Sequence, residues 1–320
     1  MNYLNGICAD AGSSNCPCPL AETGGCLVCS RLAGEQACDC KWCGLCIYNE
    51  FMQNDRKAKN LRNSFKAHIV RKVWYGEDLL RLVVEVDKGF ALRAARPGTF
   101  VFLKGKEAEY YDVPISVMKA DVQNCRLHFA VRIISAKTKA IAEATEYVYI
   151  RGIYRNGFLT GIQDYRSEKG RLLIMTRGVG LAPAVNLIGA AQDKIRAGEI
   201  EAEVIVDTEK ITADFLKDGC ELAGISEKQI KKSPFDDICP VPGGIMVYDR
   251  VYCTDDYDII FILASDYYIR LLAKRLEAPV SKLVVANNYH MCCGEGICGA
   301  CNHVDENGKP HKMCKCRQKE

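Results

Sequence analysis

The sequence predicts a multidomain protein: an antiparallel β-barrel, then an α/β domain with a parallel sheet, with a cysteine-rich module at each end. Three observations carry this. Several short apolar-alternating runs with turn signals between them fill residues 62–160. Strand-like runs alternate with helix-like ones over 168–286. Of nineteen cysteines, nine lie between Cys8 and Cys46 and six between Cys292 and Cys316.

Within the first half, Leu80, Leu82, Val84 and Val86 are apolar at alternate positions, with Arg81 and Glu85 on the opposite parity. This is the pattern of a half-buried strand. Residues 65–75, 99–103, 114–118, 126–134 and 147–150 are further strands, and 138–145 a short helix. Gly76–Glu77–Asp78, Arg96–Pro97–Gly98 and Val122–Gln123–Asn124 mark the turns. Together they form a barrel.

From Arg171 the texture changes. Strands at 171–176, 203–207, 258–264 and 280–286 alternate with helices at about 181–197 and 267–276. Such alternation puts helices on the faces of a parallel sheet. Gly178-x-Gly180, after a strand and before a helix, could let a dinucleotide pyrophosphate approach backbone N–H groups. A tight connection is the plainer alternative. Asp207, at the end of the next strand, is either a ribose acceptor or a solvated strand-end acid.

The last strand feeds the C-terminal module at 287–320. Cys293, Cys298 and Cys301 are spaced C-x4-C-x2-C, with Cys314 or Cys316 to follow. That is the plant-type [2Fe–2S] ligand spacing. Gly294, Gly296 and Gly299 permit the close wrapping that four converging thiolates require. A zinc knuckle is the alternative, but zinc favours two C-x2-C pairs and this stretch has one. Cys292, adjacent to Cys293, points elsewhere and is not a ligand. His303 and His311 read as exposed loop residues.

The N-terminal module, 1–55, carries Cys16-x-Cys18, Cys26-x2-Cys29, Cys38-x-Cys40 and Cys43-x2-Cys46. Fifty residues broken by glycine and proline cannot build a sufficient core, so a metal supplies folding energy. Zinc and an additional iron–sulfur cluster both remain open. Trp42 and Tyr48 pack over the site or form its core. The polar, basic run 54–63 is a linker or a solvated helical face.

Net charge is +3, from 43 Lys+Arg and 40 Asp+Glu. This balance points to no nucleic-acid partner and no membrane surface. No apolar run is long enough to span a bilayer, and the start lacks a secretory pattern, so a cytoplasmic location is expected.

A barrel, a nucleotide-type α/β half and a terminal [2Fe–2S] loop together resemble the ferredoxin–NAD(P)H reductase superfamily. The order is similar above all to the electron-transfer subunit of dihydroorotate dehydrogenase and its bifurcating relatives. The resemblance covers about 62–316. Pro97–Gly98–Thr99–Phe100 is similar to the family's Pro-Gly-x-Phe before the flavin, and Pro114–Ile115–Ser116 to its Pro-x-Ser/Thr flavin motif. Thr138 falls at the helix start that the family sets against the FAD phosphates. Asn156–Gly157–Phe158 resembles its Gly-x-x-Gly-x-x-Phe turn. Gly178–Val179–Gly180–Leu181–Ala182–Pro183 resembles its nicotinamide-dinucleotide loop. The His311–Lys312–Met313 lead-in favours Cys314 over Cys316 as last ligand.

The resemblance implies an oxidoreductase component that carries FAD and a [2Fe–2S] cluster, with NAD(P)H or a partner's flavin as two-electron donor and a second redox subunit as partner. Three positions depart from the family pattern. Val113 stands where many members have an arginine before the flavin motif. Arg177 replaces the first glycine of the dinucleotide loop. Ala264–Ser265–Asp266 replaces Cys-Gly-Pro beside the nicotinamide. A relay that does not bind NAD(P)H, and a metal-stabilised scaffold without redox turnover, are the alternatives these departures leave.

Overall fold

The structure is a computed structural model that describes residues 8–40, 42–107, 111–160, 170–305, 308 and 310–317. The expected domain limits at 1, 168 and 320 fall outside these residues. Among the described residues, no helix is long and apolar enough to cross a membrane.

The N-terminal module holds two helices, α1 (Pro19–Glu22) and α2 (Ile47–Gln53), about a small core of Cys16, Ala21, Val28, Cys29, Leu32, Ile47 and Phe51. Trp42 packs beside that core, and a Cβ on Gly12 or Gly44 would strike its indole. Residues 54–63 form turns and extended chain, not a helix.

The barrel follows: β1 (Phe65–Tyr75), β2 (Leu79–Glu85), α3 (Lys88–Ala94), β3 (Phe100–Lys104), β4 (Val113–Asp121), β5 (Arg126–Arg132), α4 (Ala136–Glu143) and β6 (Tyr147–Tyr154). Its strands close in the order β1-β2-β5-β4-β3-β6, antiparallel throughout. Closure leaves no edge strand to pair with other chains. Leu80, Leu82, Val84, Leu127 and Phe129 have no exposed surface in the interior. Each such side chain contributes about 1.5–3 kcal/mol by leaving water. The sequence pattern does not announce α3, which is capped by the Asp87 carboxylate accepting from Phe90 N–H.

Against the expectation of a half-buried strand, β2 is buried on both faces apart from Glu85. Arg81 is buried because it pairs with Asp218 of the α/β domain at 3.0 Å, and the Tyr75 hydroxyl also bonds Asp218. The outer face of this barrel wall is thus a domain interface.

The α/β layer begins at β7 (Phe158–Thr160), which pairs with its sheet and not with the barrel. β8 (Gly170–Arg177), α5 (Leu181–Arg196), β9 (Ile200–Asp207), α6 (Ala213–Ala223) and β10 (Ile230–Lys232) follow. A three-stranded antiparallel insert, β11 (Cys239–Val241), β12 (Gly244–Val247) and β13 (Arg250–Cys253), precedes β14 (Ile259–Leu263), α7 (Asp266–Leu276) and β15 (Leu283–Ala286). The main sheet runs β10-β9-β8-β14-β15-β7, parallel except for β7. The uninterrupted apolar run of β14 fits a strand covered on both faces. A two-stranded ribbon, β16 (Asn302–Val304) and β17 (Pro310–Lys312), follows.

Candidate functional site

Parallel sheets of this kind bind ligands at the carboxyl ends of their strands. A cavity of about 670 Å³ opens there, between the barrel and the α/β layer. Pro114 and Ser116 of β4 form one wall, Gly178, Gly180 and Pro183 the opposite one, and Gly157 lies between. A second cavity of about 450 Å³ continues past Ser116 to Ser135 and Lys137 at the start of α4. The volumes are those of cofactor sites.

Two close backbone approaches shape the first cavity. Gly157 N–H donates to Gly98 C=O at 2.9 Å, and a Cβ on Gly157 would lie 2.7 Å from that oxygen. Gly98 has φ +76°, which a residue with a Cβ rarely adopts. On the other wall, a Cβ on Gly180 would overlap the Leu263 carbonyl. Glycine here lets α5 start directly over the end of β14.

Four sequence-predicted residues stand apart from the cavity walls. Pro97 and Gly98 shape the turn behind Gly157. Phe158 is a core residue, its ring 6.0 Å from that of Phe261. Thr138 is buried, and its hydroxyl is used within a capping box with Ser135: it donates to Ser135 C=O and accepts from the Ser135 N–H. The side chains that α4 offers to the crevice are Ser135 and Lys137.

Arg177 lines the first cavity with its guanidinium 2.8 Å from Asp207, in contact with Glu209, and 4.4 Å above the Tyr268 ring. Asp207 is buried, and its carboxylate also accepts from Phe235 N–H and Glu209 N–H. The strand-end acid is therefore neither solvated nor open to a ribose; Arg177 and backbone amides hold it. Asp266 accepts from Asn288, which also donates to Ala264 C=O.

The C-terminal loop starts at the same cavity. Tyr289 and Met291 line it, and Cys293 follows two residues later. The loop then turns on Gly294, Gly296 and Gly299, with φ of +70°, +78° and +77°. Gly294 passes so close to Tyr154 and Phe102 that a Cβ would sit 2.6 Å from one ring and 2.8 Å from the other. Cys293 Sγ accepts N–H bonds from Glu295 at 3.3 Å and Cys298 at 3.5 Å. Backbone N–H groups aimed at sulfur favour the thiolate.

Cys314 bonds to both Cys293 and Cys301 through its thiol. Together with the loop's N–H groups, that thiol holds Cys293 down at about 3 and Cys301 at about 6, while Cys314 is pushed up. Cys298 is exposed, and its thiol lies against Cys292. Cys316 is buried elsewhere, opposite Cys8 in an isolated antiparallel bridge. Among the described residues, no group of three or more His, Cys, Asp or Glu side chains is arranged to hold a metal ion as it stands. The donor chemistry nevertheless suits two irons: soft thiolates at ferredoxin spacing, in a loop whose N–H groups point at sulfur. The eight cysteines of the N-terminal pair motifs divide by burial. Cys16 and Cys29 are buried, Cys18, Cys26 and Cys40 half-buried, and Cys38, Cys43 and Cys46 exposed.

Sequence reasoning assigned no residue to the task of fixing this loop. Arg151 donates to Cys293 C=O at 2.8 Å and pairs with Asp112 at 2.6 Å. Buried Asn156 and its neighbour Asn287 both donate to Met313 C=O, at 2.8 and 3.1 Å, next to Cys314. Arg62, in the expected linker, has only 3% of its side chain exposed; it meets Asp10 at 2.6 Å and Glu295 at 3.2 Å and covers the Tyr154 ring at 4.4 Å. Lys315 meets the same two carboxylates at 2.7 Å each. Burial works against the charge on both Asp10 and Lys315, but their ion pairs outweigh it, so Asp10 is lowered and Lys315 raised. His311, expected exposed, is half-buried and lies 2.9 Å from Asp305. A polar residue in a loop carries no signal that a partner hundreds of positions away will bury it.

No family model matches the chain, and no curated protein matches it. Solved structures do. A structure described as giving insights into flavin-based electron bifurcation, that of an NADH-dependent reduced ferredoxin–NADP oxidoreductase, matches with a TM-score of 0.55 at 18% identity, over 78% of this chain and 85% of that one. An intact type IV self-sufficient cytochrome P450 monooxygenase matches with a TM-score of 0.50 at 15% identity, over 80% of this chain and 40% of that one. The likeness is one of fold, in a barrel followed by an α/β layer.

Proposed function

We propose that this chain is the electron-transfer component of a larger oxidoreductase, with FAD in the crevice and a [2Fe–2S] cluster in the C-terminal loop. Among the relatives that the sequence suggests, the electron-transfer subunit of dihydroorotate dehydrogenase fits this arrangement. One observation carries the reading: Met291 and Tyr289 line the same cavity as Ser116 and Gly178, so a cysteine loop starts at the wall of a cofactor-sized crevice. When bound, a flavin accepts two electrons and releases them singly, and a binuclear iron–sulfur cluster takes one at a time.

In this reading Pro114 and Ser116 orient the flavin ring, while Ser135, Lys137 and the start of α4 face its phosphates. Cys293, Cys298, Cys301 and Cys314 hold the irons. Arg151, Asn156 and Asn287 position the loop that carries them. Phe102 and Tyr154, packed against Gly294, exclude water from the inner side of the loop. Ile297, 54% exposed at the loop's outer turn, meets the second redox subunit.

The donor is NAD(P)H or a partner's flavin. A specific observation favours the second: Arg177 stands in the dinucleotide wall and occupies Asp207. Anaerobic purification of the full chain, with flavin, iron and acid-labile sulfide assayed together, tests the proposal. One FAD and two irons with two sulfides attributable to the C-terminal loop are expected; flavin-free protein containing only zinc would establish a metal-stabilised scaffold instead.

A further inference from the structure

Another cavity, of about 530 Å³, lies where the N-terminal module meets the barrel. It shares no lining residue with the crevice or its continuation. Two amides hold its rim: Asn15 donates to Asn60 C=O at 2.7 Å, and Asn60 donates to Ser14 C=O at 2.6 Å. Arg62 ties the same rim to the barrel, donating from Nε to Ile153 C=O at 2.9 Å. Phe65 and Phe90, with ring centroids 5.0 Å apart and edge to face, give the cavity an apolar wall.

Three arginines and two carboxylates also line it: Arg62, Arg93 and Arg155 with Asp10 and Asp87. The acids are already engaged. Asp10 is held by Arg62 and Lys315, and Glu295 balances the second of those cations. Asp87 caps α3, accepting from Phe90 N–H at 2.8 Å. Arg93 and Arg155 are left with no ion pair to an acid among the described residues; Arg93 stands 5.8 Å from the Phe90 ring centre. Arg155 is half-buried. Burial lowers it, Asp10 opposes that, and the Arg317, Arg62 and Arg93 guanidiniums lower it further. Arg317 itself keeps a buried Nε–H with no hydrogen-bond partner among the described residues. A guanidinium partly withdrawn from water among like charges is costly until an anion joins it.

We propose that this cavity binds a phosphate-bearing small molecule, with Arg93 and Arg155 on the phosphate oxygens and the organic part against Phe65 and Phe90. Guanidinium groups keep their charge in partly buried surroundings, and their planar forks match the spacing of phosphate oxygens. The volume is that of a small-molecule site. A free phosphate ion would engage the two arginines alone. A phosphate ester would use the aromatic wall as well. The site stands apart from the electron-transfer reading and fails independently of it, because it uses none of the crevice residues or cysteines.

The test is calorimetric titration of the full-length chain at low ionic strength, where charge contacts are least screened. The probes are inorganic phosphate, AMP and uncharged adenosine. AMP is expected to bind with a Kd below about 1 mM, and adenosine at least about tenfold more weakly. Affinity should fall at least about tenfold in Arg155→Gln, and further in Arg93→Gln/Arg155→Gln. It should be unchanged in Lys137→Ala, which alters the crevice. AMP binding tighter than inorganic phosphate identifies an ester site, and equal affinities identify a site for the free ion. A second readout needs no variant: in the native chain AMP should slow phenylglyoxal modification of Arg155 about tenfold, mapped by peptide mass, and leave Arg132 and Arg177 in the crevice unprotected. The assignment is overturned if neither phosphate nor AMP binds, if adenosine binds as well as AMP, or if folded Arg155→Gln binds undiminished. Loss of affinity confined to Lys137→Ala, or protection of Arg132 and Arg177 without Arg155, also overturns it.

Discussion

The Lys315 ammonium, with none of its side chain exposed, lies 2.7 Å from the Asp10 carboxylate. This contact joins the two ends of the chain, 305 residues apart. Arg62 and Glu295 complete the network, with two cations and two carboxylates in balance. Removing one member leaves buried charge without its partner, which costs several kcal/mol. Lys315→Met is expected to lower unfolding stability by about 3 kcal/mol in urea denaturation. Asp10→Asn combined with Lys315→Met should cost less than the sum of the single changes, because the two share one contact.

Cys314 and Cys316 differ in surroundings and should differ in effect. Cys314→Ser is expected to remove the paramagnetic signal of a reduced binuclear cluster, read by low-temperature spin resonance on dithionite-treated protein. Cys316→Ser and Cys292→Ser should keep it. A signal that survives Cys314→Ser but not Cys316→Ser would reverse the ligand assignment.

Gly157 and Gly98 cross at backbone distance beside the cavity. Gly157→Ala puts a methyl group 2.7 Å from a carbonyl oxygen that cannot move without shifting the turn. FAD content per folded chain should fall several-fold, read from visible absorbance after gel filtration. Undiminished flavin in a folded Gly157→Ala protein would move the flavin site elsewhere.

Arg177 stands where the sequence resemblance leads one to expect a glycine. Arg177→Gly is expected to tighten NADH binding by about tenfold in equilibrium titration, since it clears the wall and frees Asp207. The same change should lower stability by about 2–3 kcal/mol, because it strips a buried carboxylate of its cation. Unchanged NADH affinity would mean that Arg177 is not the obstacle.

His128 gives a pH dependence. Burial and the Arg81 guanidinium, 3.4 Å from its ring, lower it from the ordinary 6.5 to about 4. A histidine whose folded pKa lies below the unfolded one takes up its proton more readily when unfolded. Stability is therefore lost as pH falls from about 6.5 towards 4, by up to about 3 kcal/mol. Denaturation midpoints across that window should flatten in His128→Gln, apart from the contribution of carboxylates at the acid end.

The sequence by itself determined the order of barrel, α/β layer and terminal cysteine loop. It also located the glycines at Gly157, Gly178, Gly180 and Gly294 and the Pro114–Ser116 wall. These are local signals: a period of two, a turn residue, a fixed spacing between thiols, each written within a dozen residues. Tertiary structure alone decided the rest. It sent Cys316 to Cys8, away from Cys314. It folded Thr138 into a cap, put β7 in the second sheet, and buried Arg62, Arg81 and Lys315 against acids far away in the chain. Such choices rest on charge balance and desolvation between distant segments, and the chain's local pattern does not encode which of its many charged residues will meet.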